Sequence, residues 1–309
     1  MARAKVSIVG AGRVGSTTAQ ILAYMELCDV VIWNRTAGIA EGIALDLEES
    51  APIMDFDVDI VGTGDYSAIK GSDIVAITAG VQRKEGMSRE DLLGINAAIV
   101  RSACENIKRY APKSKVIVVT NPLDSMVLLA KSVTKFQKQR VMGMAGILDT
   151  SRFRRFIAAE LNESVRDVSA MVLGGHGDFM VPLPKHAMVG GAPLESRLDK
   201  RRIDAIVKRT RNGGAEIIKL EKESSAFYAP AASLALMMES ILRDKKEVLP
   251  CAAYLEGEYG VSGIFMGVPA ILGSNGVERI IELKLDKNER AEMKKSADMI
   301  RKSVKGLKL

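Results

Sequence analysis

Residues 5–15 read KVSIVGAGRVG, a β-branched apolar run that stops at a glycine and opens into a helical pattern. This G-x-G-x-x-G spacing narrows the fold more than anything else in the chain. Gly10 permits a tight turn, Gly12 lets the backbone approach a pyrophosphate, and Gly15 lets the next helix pack close to the sheet. The helix start adds free amides and a positive dipole end. Gly10, Gly12, Arg13, Val14 and Gly15 are therefore candidates for holding a dinucleotide. A purely structural βα turn is the plainer alternative.

The first half repeats the pattern. Strand candidates at 6–10, 30–33, 73–80 and 116–121 alternate with helical segments at about 14–25, 38–50, 90–109 and 123–136. Near-continuous Val/Ile runs separated by helices predict a parallel sheet covered on both faces. Ligands should lie at the carboxyl ends of its strands. Thr78, Ala79, Gly80, Val119 and Asn121 fall at such ends. The second half is less regular: a helix at about 150–162, a strand at 168–175, a helical pattern at 199–222 interrupted by Gly213-Gly214, and a helix at 229–242. Antiparallel, hairpin-like segments follow at 248–257 and 261–272, then a C-terminal helix. The expected class is α/β: an N-terminal Rossmann doubly wound parallel sheet over residues 1–145, and a C-terminal α+β substrate domain, a separate unit, over 146–309.

The second strand ends VVIWNRT. An acid is expected there to accept hydrogen bonds from the adenosine ribose of NAD. Asn34 removes a charge that would repel a 2′-phosphate, and Arg35 could pair with one. NADP use is thus suspected from Asn34 and Arg35. The alternative is that Asn34 serves the ribose of NAD while Arg35 is simply solvated.

The net charge is +6, but aromatics make up only 5% and no basic tract is interleaved with stacking residues. Nucleic acid is therefore not an expected partner. The densest basic stretch, near the C-terminus, places Met293, Ala297, Ile300 and Val304 at helical spacing, so its charges form a solvated face. No apolar run is long enough to predict a spanning helix, and the N-terminus reads as a strand, not a leader. Cys28, Cys104 and Cys251 lack metal-ligand spacing and fit reduced thiols in a cytoplasm.

Three segments suggest chemistry. The stretch 81–96, VQRKEGMSREDLLGIN, follows a strand end and could close cationic side chains over an anion. GILDTSRFR (146–154) puts Asp149 and Arg152 on one helix face. His176, in LGGHGD, is one of only two histidines. Its flanking glycines strip away steric cover, and a carboxylate beside an imidazole makes a general acid/base near neutral pH. His186 has no such setting and reads as surface or packing.

With these motifs together, and with TNPLD (120–124) and YGVSGIFMGVPAILGSNGVE (259–278), the chain resembles the lactate/malate dehydrogenase superfamily over about residues 5–305. It looks nearest to the lactate-dehydrogenase-like malate dehydrogenases. The resemblance implies reversible hydride transfer between (S)-malate and oxaloacetate with NAD or NADP, a place in the tricarboxylic acid cycle, and a cytoplasmic homotetramer or homodimer. It implies His176 as proton donor and acceptor, with Asp149 as orienting partner. Arg152 would grip the C1 carboxylate, Arg89 polarise the carbonyl, Arg83 hold a second carboxylate, and Asn121 bond the substrate. Asn96 would lie near the nicotinamide. Members acting on lactate usually carry glutamine where Arg83 falls. Gln82 precedes it, so a one-residue slip would change the substrate, although counting back from Arg89 favours the diacid. Asn34, and Gly175 where many relatives have glutamate, depart from the family pattern. L-lactate dehydrogenase is one alternative; a catalytically silent nucleotide-binding sensor is another.

Overall fold

A computed structural model describes residues 3–82, 88–222 and 225–307, with Arg89 placed by its backbone alone. The first half alternates β1 (Lys5–Val9), α1 (Arg13–Tyr24), β2 (Asp29–Trp33), α2 (Ala37–Met54), β3 (Ile60–Thr63), β4 (Ile74–Ile77), α3 (Arg89–Tyr110), β5 (Lys115–Val118), α4 (Leu123–Thr134) and β6 (Val141–Gly143). The strands lie in the order β3-β2-β1-β4-β5-β6 and run parallel.

The period of two explains why both faces are covered. Val6, Ile8, Ile74, Ala76 and Ile117 point to one face, where Ala19, Leu22 and Ala23 of α1 meet them. Val9, Val75, Ile77, Val116 and Val118 point to the other, against Val100, Ala103 and Ile107 of α3 and Met126 and Leu129 of α4. Burying each such Val or Ile contributes about 2 kcal/mol relative to exposure. The chain winds in opposite directions on either side of the β1/β4 pair, which opens a crevice at their carboxyl ends.

The second half contains α5 (Gly146–Leu161), β7 (Val168–Ser169), β8 (Val172–Gly174), β9 (Met180–Pro182), β10 (Met188–Val189), β11 (Ala192–Pro193), α6 (Leu194–Arg197), α7 (Lys200–Glu221), α8 (Tyr228–Leu242), β12 (Glu247–Glu256), β13 (Ser262–Gly273), β14 (Gly276–Ile280) and α9 (Lys287–Val304). β12 and β13 form the expected antiparallel pair. They extend the first sheet instead of starting a separate one, because Ala252 of β12 pairs with Gly143 of β6. β8 and β9 continue it beyond β13.

Three local expectations are corrected. The single strand expected at 168–175 is two strands in different sheets, β7 beside β10 and β8 beside β13. Helix α7 runs unbroken through Gly213 and Gly214. β3 was not anticipated. It is a short edge strand whose Val61 faces solvent. The C-terminal helix has the predicted inner face, with Met293, Ala297 and Ile300 buried, and starts on a capping box between Asp286 and Glu289. No helix among the described residues is long and apolar enough to cross a membrane.

Candidate active site

The glycine turn is built for close approach. Gly10 adopts φ +121°, and a Cβ there would sit 2.5 Å from the Ala79 nitrogen. The Thr78 hydroxyl donates to the Gly10 carbonyl at 2.9 Å, pinning the turn to the end of β4. A Cβ at Gly15 would meet the Gly10 carbonyl oxygen at 2.0 Å. Gly12 differs, since a Cβ there would meet nothing within 4 Å. Helix α1 begins on Gly12 with no side-chain cap and no acid in its first turn. Its first amides are thus uncapped by side chains and its first turn carries no acid, which fits an incoming pyrophosphate. A Cβ at Gly12 would enter that space without disturbing the protein. Gly12→Ala is therefore expected to cost little thermal stability while weakening NADH binding by roughly tenfold or more, a loss of about 1.4 kcal/mol. Melting curves and a binding titration on the same preparation check this.

Around this cradle, Val14 is half-buried and Arg13 is exposed. Arg13 pairs with Glu221 at 3.3 Å and lies 5.2 Å from the centre of the Phe227 ring. At the end of β2, the Asn34 amide nitrogen donates to the Thr36 carbonyl at 3.1 Å. Arg35 is exposed. Trp33 stacks on Tyr66, with ring centres 3.9 Å apart.

Asn96 is completely buried. Its amide nitrogen donates to the Val81 and Asn121 carbonyls at 3.1 and 2.7 Å, and its oxygen accepts from the Val81 N–H at 2.8 Å. It ties the end of β4 to the end of β5. Ala79 and Val119 are half-buried, while Gly80 and Asn121 are exposed at those ends.

Three residues beyond Asn121, Asp124 starts the link to the second constellation. Its Oδ2 accepts the His176 backbone N–H at 3.1 Å. On the opposite side, α5 presents Asp149 in its first turn. One oxygen of Asp149 lies 2.9 Å from His176 Nδ1 and the other accepts from Arg152 at 3.3 Å. Asp149 is only 2% exposed, Arg152 13% and His176 17%. The Val172 N–H donates to Thr150 Oγ1 at 2.9 Å, so β8 is pinned to α5 beside this cluster.

Electrostatics follow from this geometry. Burial by itself would drive His176 towards its neutral form. The charge and hydrogen bond of Asp149, with help from Asp124, outweigh burial and the opposing Arg152, so His176 titrates above the ordinary histidine value. Burial lowers the Arg152 value, with Asp149 opposing, but a guanidinium stays charged. Burial pushes the Asp124 carboxyl up to about 7.

The structure therefore brings Asp149, Arg152 and His176 together. Arg83 lies outside the described residues, and Arg89 starts α3 with its side chain likewise outside them. His186 lies elsewhere, 3.4 Å from Glu289 at the start of α9. Sequence alone missed Asp124 and Gly213. The signal for Gly213 was the glycine pair, whose role is steric: a Cβ at Gly213 would stand 3.0 Å from Arg152 Cδ.

A βαβ crevice shaped for a dinucleotide, beside a buried carboxylate shared by an imidazole and a guanidinium, defines a class of nicotinamide-linked dehydrogenase folds. The lactate/malate dehydrogenase NAD-binding domain matches residues 4–143, and the alpha/beta C-terminal domain of the same family matches residues 147–308. The chain belongs to the lactate/malate dehydrogenase family. It is 53% identical over 306 residues to the malate dehydrogenase of Roseiflexus sp. (strain RS-1), covering 99% of each chain. The crystal structure of Cryptosporidium parvum malate dehydrogenase superposes with a TM-score of 0.96 at 42% identity, over 99% of each chain. The lactate dehydrogenase of the same organism, solved with lactic acid and β-nicotinamide adenine dinucleotide, gives the same score and identity over 99% of this chain and 98% of that one.

Proposed function

We propose that the chain is a malate dehydrogenase catalysing (S)-malate + NAD(P)⁺ ⇌ oxaloacetate + NAD(P)H + H⁺, with residues 1–145 holding the cofactor and 146–309 the substrate. The observation that carries this reading is Asp149, buried and divided between His176 Nδ1 and Arg152. A sensor that only binds nucleotide has no use for that arrangement. A nicotinamide bound at the β1/β4 crevice would supply or take up the hydride. Because Asp149 occupies Nδ1, His176 Nε2 is the nitrogen left to exchange a proton with the substrate oxygen. Arg152 clamps the C1 carboxylate, Arg89 stabilises the negative charge growing on the oxygen, and Asn121 hydrogen-bonds the substrate. Arg83 pairs with the second carboxylate.

Gly213 supports the clamp from behind by leaving room for the Arg152 stem. Gly213→Val is expected to push that side chain off its bidentate geometry and raise KM for oxaloacetate roughly tenfold to a hundredfold. Cofactor affinity, read in the same protein, should not change.

The pH dependence follows in sign from the raised His176 value. Reduction needs the imidazolium. Its kcat/KM should be flat below the folded His176 midpoint and fall about tenfold per pH unit above it. Malate oxidation needs the neutral ring and should fall on the other side of the same midpoint. Rate profiles in both directions, recorded over one pH series, check the pair.

The equal match to a lactate dehydrogenase favours pyruvate reduction as a second reading. Arg83 weighs against it, since a methyl would leave that guanidinium unpaired. We expect oxaloacetate to exceed pyruvate by about 10²-fold or more in kcat/KM. A preference for pyruvate would replace the malate reading. Asn34 and Arg35 support useful NADP affinity, and a hundredfold preference for NADH over NADPH would remove that part. The proposal includes a homotetramer or homodimer in the cytoplasm serving the tricarboxylic acid cycle. Supporting features are the apolar Ile39, Leu45 and Ile53 exposed on α2, and three buried free cysteines.

A further inference from the structure

Asp124 is a buried charge that the reaction just described does not use. It stands in the first turn of α4 and is nine-tenths buried. Oδ2 accepts the His176 backbone N–H at 3.1 Å, and Oδ1 has no hydrogen-bond partner among the described residues. An unpaired buried carboxylate oxygen is costly, so a sequence keeps one only where something else offsets it. Here the surroundings are arranged around it. A Cβ at Gly175 would lie 3.2 Å from Oδ2 and 3.1 Å from Ile300, so the glycine before His176 clears the space that Asp124 occupies.

The loop has a second anchor of different chemistry. The Gly175 N–H donates to Ser296 Oγ at 2.8 Å, and that hydroxyl donates to the Phe179 carbonyl at 2.7 Å. Helices α4 and α9 therefore grip the same loop from two sides. Only the α4 grip is ionisable. Among the described residues, the charged groups that act on the imidazole are Asp149 and Arg152 from α5 and Asp124 from α4. Helix α9 faces the loop with Ser296 and Ile300. Asp149 serves both Arg152 and the imidazole, and Asp124 adds a second negative charge on the far side of the loop.

We propose that Asp124 is a positioning residue for His176, fixing the loop backbone through one oxygen while its charge adds to that of Asp149 in favouring the protonated ring that donates to substrate. The inference rests on the reading of His176 as proton donor. Loss of the ring's charge removes the partner that keeps the Asp124 carboxylate ionised, so the two groups titrate as a coupled pair. Burial pushes the Asp124 carboxyl up to about 7, and His176 opposes that shift. A merely structural Asp124 would hold the backbone equally well as an amide.

The test reads His176 itself. The chain has two histidines, so the ring signals in an NMR titration are assigned by His176→Asn. Asp124→Asn keeps the shape and the acceptor for the His176 N–H but removes the charge. The His176 midpoint is expected to fall by about one pH unit, and the high-pH limb of oxaloacetate reduction should move with it. Ser296→Ala loosens the same loop without changing charge, so it should lower kcat and leave the midpoint in place. An unmoved His176 midpoint in folded Asp124→Asn overturns the inference. A shifted midpoint in a protein inactive on oxaloacetate would refute the malate reading alone and leave the Asp124–His176 coupling standing.

Discussion

His176→Asn is expected to lower the turnover of oxaloacetate reduction by about 10⁴-fold, with cofactor binding unchanged. The amide can occupy the ring's space and keep a contact to Asp149 Oδ2, which lies 2.9 Å from Nδ1 in the native protein. It carries no proton that it can release at neutral pH. The dinucleotide cradle sits on α1, β1 and β4 and shares no side chain with the imidazole, so NADH affinity should be spared. Trp33 offers a direct readout of that affinity. It is the single tryptophan in the chain and neighbours Asn34 at the end of β2. Near-normal turnover in this variant would remove His176 from the reaction.

Asp149→Asn should be nearly as damaging, lowering kcat by about 10³- to 10⁴-fold, and it should differ in kind. Both Asp149 oxygens are committed, one to His176 and one to Arg152, in a site where the carboxylate is 2% exposed. An asparagine supplies one acceptor where two are needed. If its oxygen faces the imidazole, its NH₂ confronts the guanidinium. If it turns over, it imposes the wrong tautomer on His176. No solvent reaches the group to compensate. The variant should therefore lose kcat through the ring and raise KM through a displaced Arg152, whereas His176→Asn should affect mainly kcat. Steady-state kinetics of the two proteins side by side separate the patterns. Equal KM values in both would mean that Arg152 does not depend on Asp149.

The parts of this design legible in the sequence are those encoded locally. The Val/Ile runs of β1, β4 and β5 announce a sheet buried on both faces, and the glycine spacing announces the turn at α1. Asp149 and Arg152 are three residues apart on one helix, so their shared face needs no tertiary knowledge. β3 escaped notice because its run, DFDVDIVGTGD, is charged and short, as befits an edge strand. The region 168–193 folds into strands of two or three residues, too short to leave a periodicity to read. Gly213 and Gly214 looked like a helix break because glycine is a poor helix former. In the folded protein α7 tolerates them, and Gly213 gives Arg152 its room. Asp124 was invisible for a related reason: in TNPLD it is one more helix-start acid, and only the return of the His176 loop from 52 residues away gives it a partner.

The central claim is that the glycine-lined crevice and the His176–Asp149–Arg152 cluster serve one transfer. Isotope tracing tests this most directly. Oxaloacetate is incubated with the protein and NADH deuterated at C4 of the nicotinamide, in ordinary water, and the product is weighed by mass spectrometry. The account predicts malate with one deuterium on C2, and no C2 deuterium when the label is in the solvent instead. Malate that takes its C2 hydrogen from water, or no malate at all, would contradict it.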